Sequence, residues 1–289
     1  MKISLIIPLD PKKKLEFLKN IKKLDVFLII EKGLHPSKNR NKGIKKAKTE
    51  LISFTNGHTL LDKNWSKKVK EFFIKYPEID IVGGPQLTHK SENSFAKMSG
   101  FALSSYFGVG EVSNRYGGKI LKLKATESDV TSANLICRRR VFTALKFDEN
   151  VYPGEDPKFI SDALKLGFRV AYSPEIISYN RRRDTLLGLI KQIFNYGQNR
   201  PKIEPLFETL KKPYFLIPSF FLLYLLLLPF LFLINLFFIF PLLIYLLLNF
   251  LFSVYESIKN KEFLWLLPLI FFSIHLSYGL GFIWGMIRR

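Results

Sequence analysis

The chain has 289 residues, with 44 Lys and Arg against 24 Asp and Glu and a formal net charge of +20. That length holds one sizeable domain plus an appendage. The single cysteine, Cys137, excludes an internal disulfide and any multi-cysteine metal site. The charge is unevenly spread. Residues 1–212 carry 40 of the basic and 22 of the acidic side chains, so residues 213–289 are almost uncharged. A basic surface of this kind suits a polyanionic partner such as nucleic acid, anionic lipid or a phosphorylated substrate, or it simply keeps a domain in solution.

In chain order, Ile3–Ile7 is nearly continuous in apolar residues and predicts a buried strand. Its apolar run is about five residues, with no small-residue cleavage site after it, so it is not a signal peptide. Lys12–Lys23 predicts a helix with Leu15, Phe17, Leu18 and Ile21 apolar, and Val26–Ile30 predicts a second strand. Ser37 follows a proline and is placed to cap a helix running to about Lys48. Leu51–Thr55 predicts a third strand. Asp62–Tyr76 predicts a helix with Trp65, Val69, Phe72 and Phe73 on one face. Ile79–Val82 predicts a fourth strand, closed by Gly83–Gly84–Pro85. This alternation implies a parallel sheet with right-handed crossovers.

Residues 86–130, rich in Gly, Ser and Lys, predict a long irregular excursion. Order resumes at "SANLICRRRVF", a strand entering a turn or helix, and a short strand is expected near Ile176–Tyr179. The absence of G-x-G-x-x-G argues against a classical dinucleotide site. Asp184–Asn199 predicts an amphipathic helix. Arg181, Arg182 and Arg183 precede it; Arg200 and Lys202 follow. Such a helix suits the lipid interface, packing on the folded domain being the alternative.

The tail is different material. Pro213 to Phe252 contains no charge. A membrane helix needs about 20 apolar residues, so this stretch predicts two helices with a turn in Pro229–Asn235. A third apolar stretch covers Phe263 to Ile287. By the positive-inside rule, the basic domain and the Tyr255–Glu262 loop belong in the cytoplasm. Three crossings would then leave Arg288–Arg289 outside, against the same rule, unless one segment is re-entrant or interfacial.

Four stretches in this order, "ISLIIP", "NRNKGIKKAKTELISFTNGHTLL", "SANLICRRRVFTALKFDENVYPGED" and "LGFRVAYSPEIISYNRR", resemble the successive motifs of family 2 glycosyltransferases. The resemblance covers about residues 2–200. It implies an α/β domain of the GT-A fold, Rossmann-like with a mostly parallel sheet, over residues 1–183. Residues 184–212 would form an amphipathic interfacial helix and linker. Residues 213–289 would form a membrane domain with segments near 214–233, 236–254 and 263–287.

The resemblance also implies roles. The ends of the first two strands, Pro8, Asp10 and Glu31, would hold the nucleoside of a nucleotide-sugar donor, with Arg40 and Asn41 near the donor. The family's Asp-x-Asp holds a divalent metal, Mn2+ or Mg2+, on the diphosphate; here the position reads Asn56–Gly57–His58, so Asn56 and His58 are the candidate ligands. In "GED", Asp156 would be the base that deprotonates the acceptor, and Glu155 would orient the acceptor or brace the loop. The implied enzyme is an integral protein of the cell membrane with a cytoplasmic catalytic domain. Its partners would be the donor, a lipid-linked or glycan acceptor and anionic membrane lipids. A polyprenyl-phosphate sugar synthase is one alternative, and a non-catalytic homologue that has lost metal binding is another. A nucleic-acid-binding domain is disfavoured by the apolar tail and by the absence of an aromatic RNA-binding motif.

Overall fold

The computed structural model describes residues 1–204 and 206–288, so Arg289 of the terminal arginine pair lies outside them. The chain forms two units. One comprises Met1–Lys90 and Asn114–Arg181; the other comprises Ser91–Ser113 and the chain from Arg182 onward.

The first unit is built on β1 (Ile3–Leu9), β2 (Phe27–Lys32), β3 (Leu51–Thr55), β4 (Thr59–Leu61), β5 (Ile81–Gly83), β6 (Gln86–Thr88), β7 (Asn134–Arg138), β8 (Val170–Tyr172) and β9 (Ser178–Asn180). The main sheet has the order β2-β1-β3-β7-β5-β8. Strand β1 is parallel to β2 and β3, and β5 is parallel to β8. Strand β7 runs antiparallel between β3 and β5, the one reversal in a mostly parallel sheet. A smaller sheet has the order β4-β9-β6.

Alternation along β1 divides the core in two, because successive side chains point to opposite faces of a strand. Ile3, Leu5 and Ile7 pack with Trp65, Val69 and Phe73 from the helix Trp65–Lys75. Ile6 packs on the other face with Phe54, Phe147, Phe159 and Ile160. The helix Pro36–Lys46 lies close on β1, and a β-carbon at Gly43 would come within 2.5 Å of Ile6.

Several elements differ from expectation. Of the Lys12–Lys23 helix only Leu18–Ile21 forms. Asp10 accepts the Lys12 amide, and the Glu16 amide bonds to the Gly57 carbonyl, so the chain before Phe17 is held in turns. The expected cap Ser37 lies inside its helix. His35 is the N-cap, without a side-chain cap bond, and Pro36 takes the first position, where its missing N–H costs nothing.

In the second unit, residues 94–113 are largely helical where an irregular excursion was expected. Ser94–Ser104 is a helix capped by Asn93, whose side chain accepts the Ala96 amide. Its buried face is small, with Ala96, Ser99, Gly100 and Ala102, and it packs against the helix Leu267–Ile287. The helix Leu186–Ile203 is capped by Thr185. It also packs on Leu267–Ile287, through small residues. A β-carbon at Gly197 would strike the Tyr278 carbonyl, one at Gly281 that of Phe194, and one at Gly285 that of Gln198. Close backbone approach through small residues is how helices associate where lipid replaces water.

Among the described residues, three helices are long and apolar enough to cross a membrane: Ile217–Ile234, Leu236–Asn260 and Leu267–Ile287. The break between the first two falls at Asn235, while Pro229 stays inside the first helix. A polar node joins this unit internally. The Tyr245 hydroxyl meets His275 Nδ1 at 2.8 Å, and His275 Nε2 meets the Phe107 carbonyl at 2.8 Å. The Phe107 ring sits among Tyr245, Phe252, Phe271 and His275.

Candidate active site

The parallel strands β1, β2 and β3 deliver their following loops to one edge of the main sheet. Pro8 lies opposite Glu31 in the β1–β2 register. Glu31 is buried and pairs with Lys46 Nζ at 2.7 Å. Asp10, just past β1, accepts the Lys12 amide at 2.9 Å. The loop after β3 holds Asn56, Gly57 and His58 and is fastened to the loop after β1 by the Glu16–Gly57 backbone bond of 3.0 Å. His58 is exposed and Asn56 half-buried.

The antiparallel β7 starts at this same edge, with Asn134 opposite Thr55. Just before it, the Ala133 carbonyl accepts Thr55 Oγ1 at 2.9 Å. The neighbouring Ser132 amide donates to Asp156 Oδ2 at 3.2 Å. A short chain of contacts therefore runs from the Asn56 loop to Asp156.

Glu155 and Asp156 occupy the first turn of the helix Glu155–Lys165, where negative charge suits the helix dipole. Gly154, at φ 119°, makes the sharp entry, a conformation open to a residue without a β-carbon. The Gly154 amide donates to Glu155 Oε2 at 3.1 Å. Asp156 is half-buried, and among the described residues the Ser132 amide is its only hydrogen-bond donor. Glu155 is buried and accepts Arg40 Nη1 at 2.7 Å. Burial pushes its carboxyl up from the ordinary range, the Asp156 charge adds to this, and Arg40 opposes it.

Arg40 and Asn41 are both buried. The Arg40 guanidinium lies 5.2 Å from the Phe147 ring centroid. Asn41 donates to the Phe147 carbonyl at 2.9 Å, accepts the Phe147 amide at 3.0 Å, and reaches Glu149. Both residues thus fasten the segment leading to Glu155–Asp156. Residues to which the sequence assigned no role complete the frame. Asn134 accepts Trp65 Nε1 at 2.9 Å and donates to the Ile176 carbonyl at 2.6 Å. Asn180 joins Thr59 and Gln86, and Gln86 joins Thr131. These contacts link residues 42 to 121 positions apart, which no local pattern encodes.

The donor set at the Asp-x-Asp position is neutral, an amide oxygen from Asn56 and an imidazole from His58. Mg2+ and Mn2+ favour hard, anionic oxygen ligands. Among the described residues no group of three or more His, Cys, Asp and Glu side chains converges to hold a metal. These residues do not by themselves fit a resident divalent ion.

Residues 10–145 match the family model described as Glycosyl transferase family 2. Over that stretch, a little under half of the chain, it is similar to family 2 glycosyltransferases, and its main sheet is mixed. Among solved structures it is similar to S. aureus TarS, at 16% identity over 70% of this chain with a TM-score of 0.47. It spans 43% of that TarS chain. It is likewise similar to the mannosyltransferase PcManGT from Pyrobaculum calidifontis, solved with GDP-Man and Mn2+. That likeness has 14% identity, 70% coverage of this chain, 63% coverage of PcManGT and a TM-score of 0.48. No curated protein sequence matches the chain.

Proposed function

We propose that the protein is a membrane-anchored inverting glycosyltransferase. It moves a sugar from a nucleotide-diphosphate donor to a hydroxyl of a lipid-linked or polysaccharide acceptor, with its catalytic domain on the cytoplasmic side of the cell membrane. The observation that carries this reading is Asp156. It follows the stretch that matches the family 2 glycosyltransferase model, and the Ser132 amide that holds its Oδ2 adjoins the Ala133 carbonyl bonded to Thr55 at the end of β3.

Asp156 Oδ1 takes the proton of the acceptor hydroxyl as that oxygen attacks the anomeric carbon. The bond from that carbon to the diphosphate oxygen breaks on the opposite face, so the nucleotide diphosphate leaves and the carbon is inverted. Pro8, Asp10 and Glu31 bound the nucleoside end of the donor. Arg40 and Asn41 act by fixing the loop that carries Glu155 and Asp156. Asn56 and His58 face the diphosphate, and a divalent ion there would depend on the donor's phosphates for its anionic ligands. The long apolar helices support membrane anchoring.

The test is release of nucleotide diphosphate by the purified full chain from a panel of nucleotide-sugars, with and without lipid and glycan acceptors. Asp156→Asn should lower transfer by about 10²–10⁴-fold while keeping donor affinity. Transfer by that variant at the parent rate would remove Asp156 from the reaction. No release from any donor would favour the non-catalytic homologue, to which the neutral Asn56–His58 pair points.

A further inference from the structure

Within the helical unit an open groove of about 500 Å³ lies between the helices Leu186–Ile203, Ile217–Ile234 and Leu267–Ile287. Its walls are apolar, with Phe194, Leu222, Leu276 and Leu280. Three polar side chains line it: the buried Ser277, and Lys191 and Asn195, which stand one helical turn apart on the same helix and are both exposed. Two of the three walls are candidate membrane spans, so the groove belongs to the part of the molecule that lipid would surround.

The exposed charge along its helical wall is basic. The helix Leu186–Ile203 presents Lys191 and Lys202 to its surface and has no acidic residue, while Arg200 is buried against Glu204 beyond its end. Ahead of it, Arg183 packs beside Gly188, one turn before Lys191. On the facing wall, Leu276 and Leu280 begin an i, i+4 ridge that continues to Trp284. Arg288 lies over the Trp284 ring at 4.2 Å. An apolar slot with cations at its rim is complementary to a hydrocarbon chain that ends in a phosphate.

We propose that this groove binds an anionic phospholipid, seating one acyl chain against Phe194, Leu222, Leu276 and Leu280 and its phosphate at Lys191 and Asn195. The site rests on the membrane anchoring proposed above, and adds to it a lipid held at a defined place. Such a lipid would wedge the Leu186–Ile203 helix against the two apolar helices.

Trp284 is the reporter. Of the three tryptophans, Trp65 is fully buried in the α/β unit and Trp265 is 65% exposed, so Trp265→Phe leaves Trp284 as the responsive one. The full chain carrying Trp265→Phe is reconstituted in vesicles, with brominated phosphatidylglycerol or brominated phosphatidylcholine at equal mole fraction. The anionic lipid should quench Trp284 with about fivefold greater effective affinity, the preference expected from one basic residue near an anionic headgroup. Lys191→Gln should bring the two lipids level. Equal quenching in the Trp265→Phe protein, or a preference that survives Lys191→Gln, overturns the site. If polyprenyl phosphate displaces the brominated anionic lipid better than unlabelled phosphatidylglycerol, the groove belongs to an acceptor lipid and the phospholipid assignment falls. Failure of the parent to float with vesicles, with Trp265 unquenched by any lipid, would sink the membrane anchoring and the groove with it.

Discussion

Arg40 Nη1 donates to Glu155 Oε1 at 2.7 Å across 115 residues of sequence, with 4% and 7% of the two side chains exposed. The pair ties the helix Pro36–Lys46 to the first turn of the helix that carries Asp156. Removing one partner leaves an uncompensated buried charge, which costs about 3–5 kcal/mol, whereas replacing both with apolar residues is often neutral. Arg40→Met alone should therefore lower the apparent Tm sharply. The double variant Arg40→Met/Glu155→Leu should recover most of that loss. If the pair positions Asp156, the double variant stays deficient in kcat while its donor KM is near normal. Full recovery of kcat would reduce the pair to a structural strut.

The same residue gives a pH dependence. Glu155 is shifted upward, by burial first and by Asp156 second, from an ordinary value of 4.5. A carboxyl with a raised folded-state pKa holds its proton more tightly when folded. Its contribution to stability is complete below about pH 4.5 and is lost as pH rises through the shifted value. Glu155→Gln removes this titration, so the difference in unfolding midpoint between parent and variant should change with pH above 4.5 and level off below it. A difference that stays flat across that range would show Glu155 to be unshifted.

At the Asn56–Gly57–His58 loop the question is charge. Restoring a carboxylate with Asn56→Asp should tighten divalent-metal dependence of donor binding, measured by Mn2+ and Mg2+ titration, because it places an anionic oxygen where an amide stands. It need not raise turnover, since a tighter metal also holds the departing nucleotide longer. His58→Ala should weaken donor binding and slow transfer. An unchanged metal midpoint in the first variant, together with unchanged affinity and rate in the second, would make this loop an ordinary turn.

Much of the α/β unit was legible because its signals are local. Ile3–Ile7 and Leu51–Thr55 are apolar runs buried on both faces, and the Trp65, Val69, Phe72 and Phe73 face is a helical stripe. The acidic pair at the start of the Glu155–Lys165 helix was visible as a motif. The three-residue strands β4 and β6 were not, because a strand that short has no period to read. The helix Ser94–Ser104 was missed for a different reason. Its buried face is Ala, Ser and Gly, and the surface that makes this face useful lies some 170 residues away, at Leu267–Ile287. The Arg40–Glu155 and Asn41–Phe147 contacts were likewise hidden. Each residue holds a distant loop, a contact that its place in the sequence does not reveal.

The glycines between the helices Leu186–Ile203 and Leu267–Ile287 should be intolerant of substitution. A β-carbon at Gly281 meets the Phe194 carbonyl, a backbone atom that no rotamer change can move. Gly281→Leu should cost on the order of 1–3 kcal/mol or more from overpacking, read as a lower apparent Tm and poorer yield from detergent. Leu269→Ala, at a position 47% exposed on the same helix, is the control and should change little. Equal behaviour of the two variants would show that these helices do not pack through Gly281.

That packing also bears on topology. Phe194 and Gln198 meet Gly281 and Gly285, so the last turns of the Leu267–Ile287 helix lie beside the middle of the Leu186–Ile203 helix. The latter carries Lys191, Gln192, Asn195, Gln198 and Asn199 along its length and is not among the candidate spans, so it is not expected to cross a bilayer. Arg288 is then expected on the same side of the membrane as that helix, in keeping with the positive-inside rule. Three complete crossings would put it on the opposite side, so one of the apolar helices is expected to be re-entrant or to lie in the interface. The candidate is Leu236–Asn260, whose last turns carry Glu256, Lys259 and Asn260 joined in one polar cluster. The chain's own Cys137 is fully buried, and burial raises its thiol well above the usual range, so it stays silent toward labelling. Arg288→Cys should therefore react with a membrane-impermeant maleimide only after intact cells are permeabilised. Labelling without permeabilisation would place the C-terminal end of that helix outside and restore three crossings.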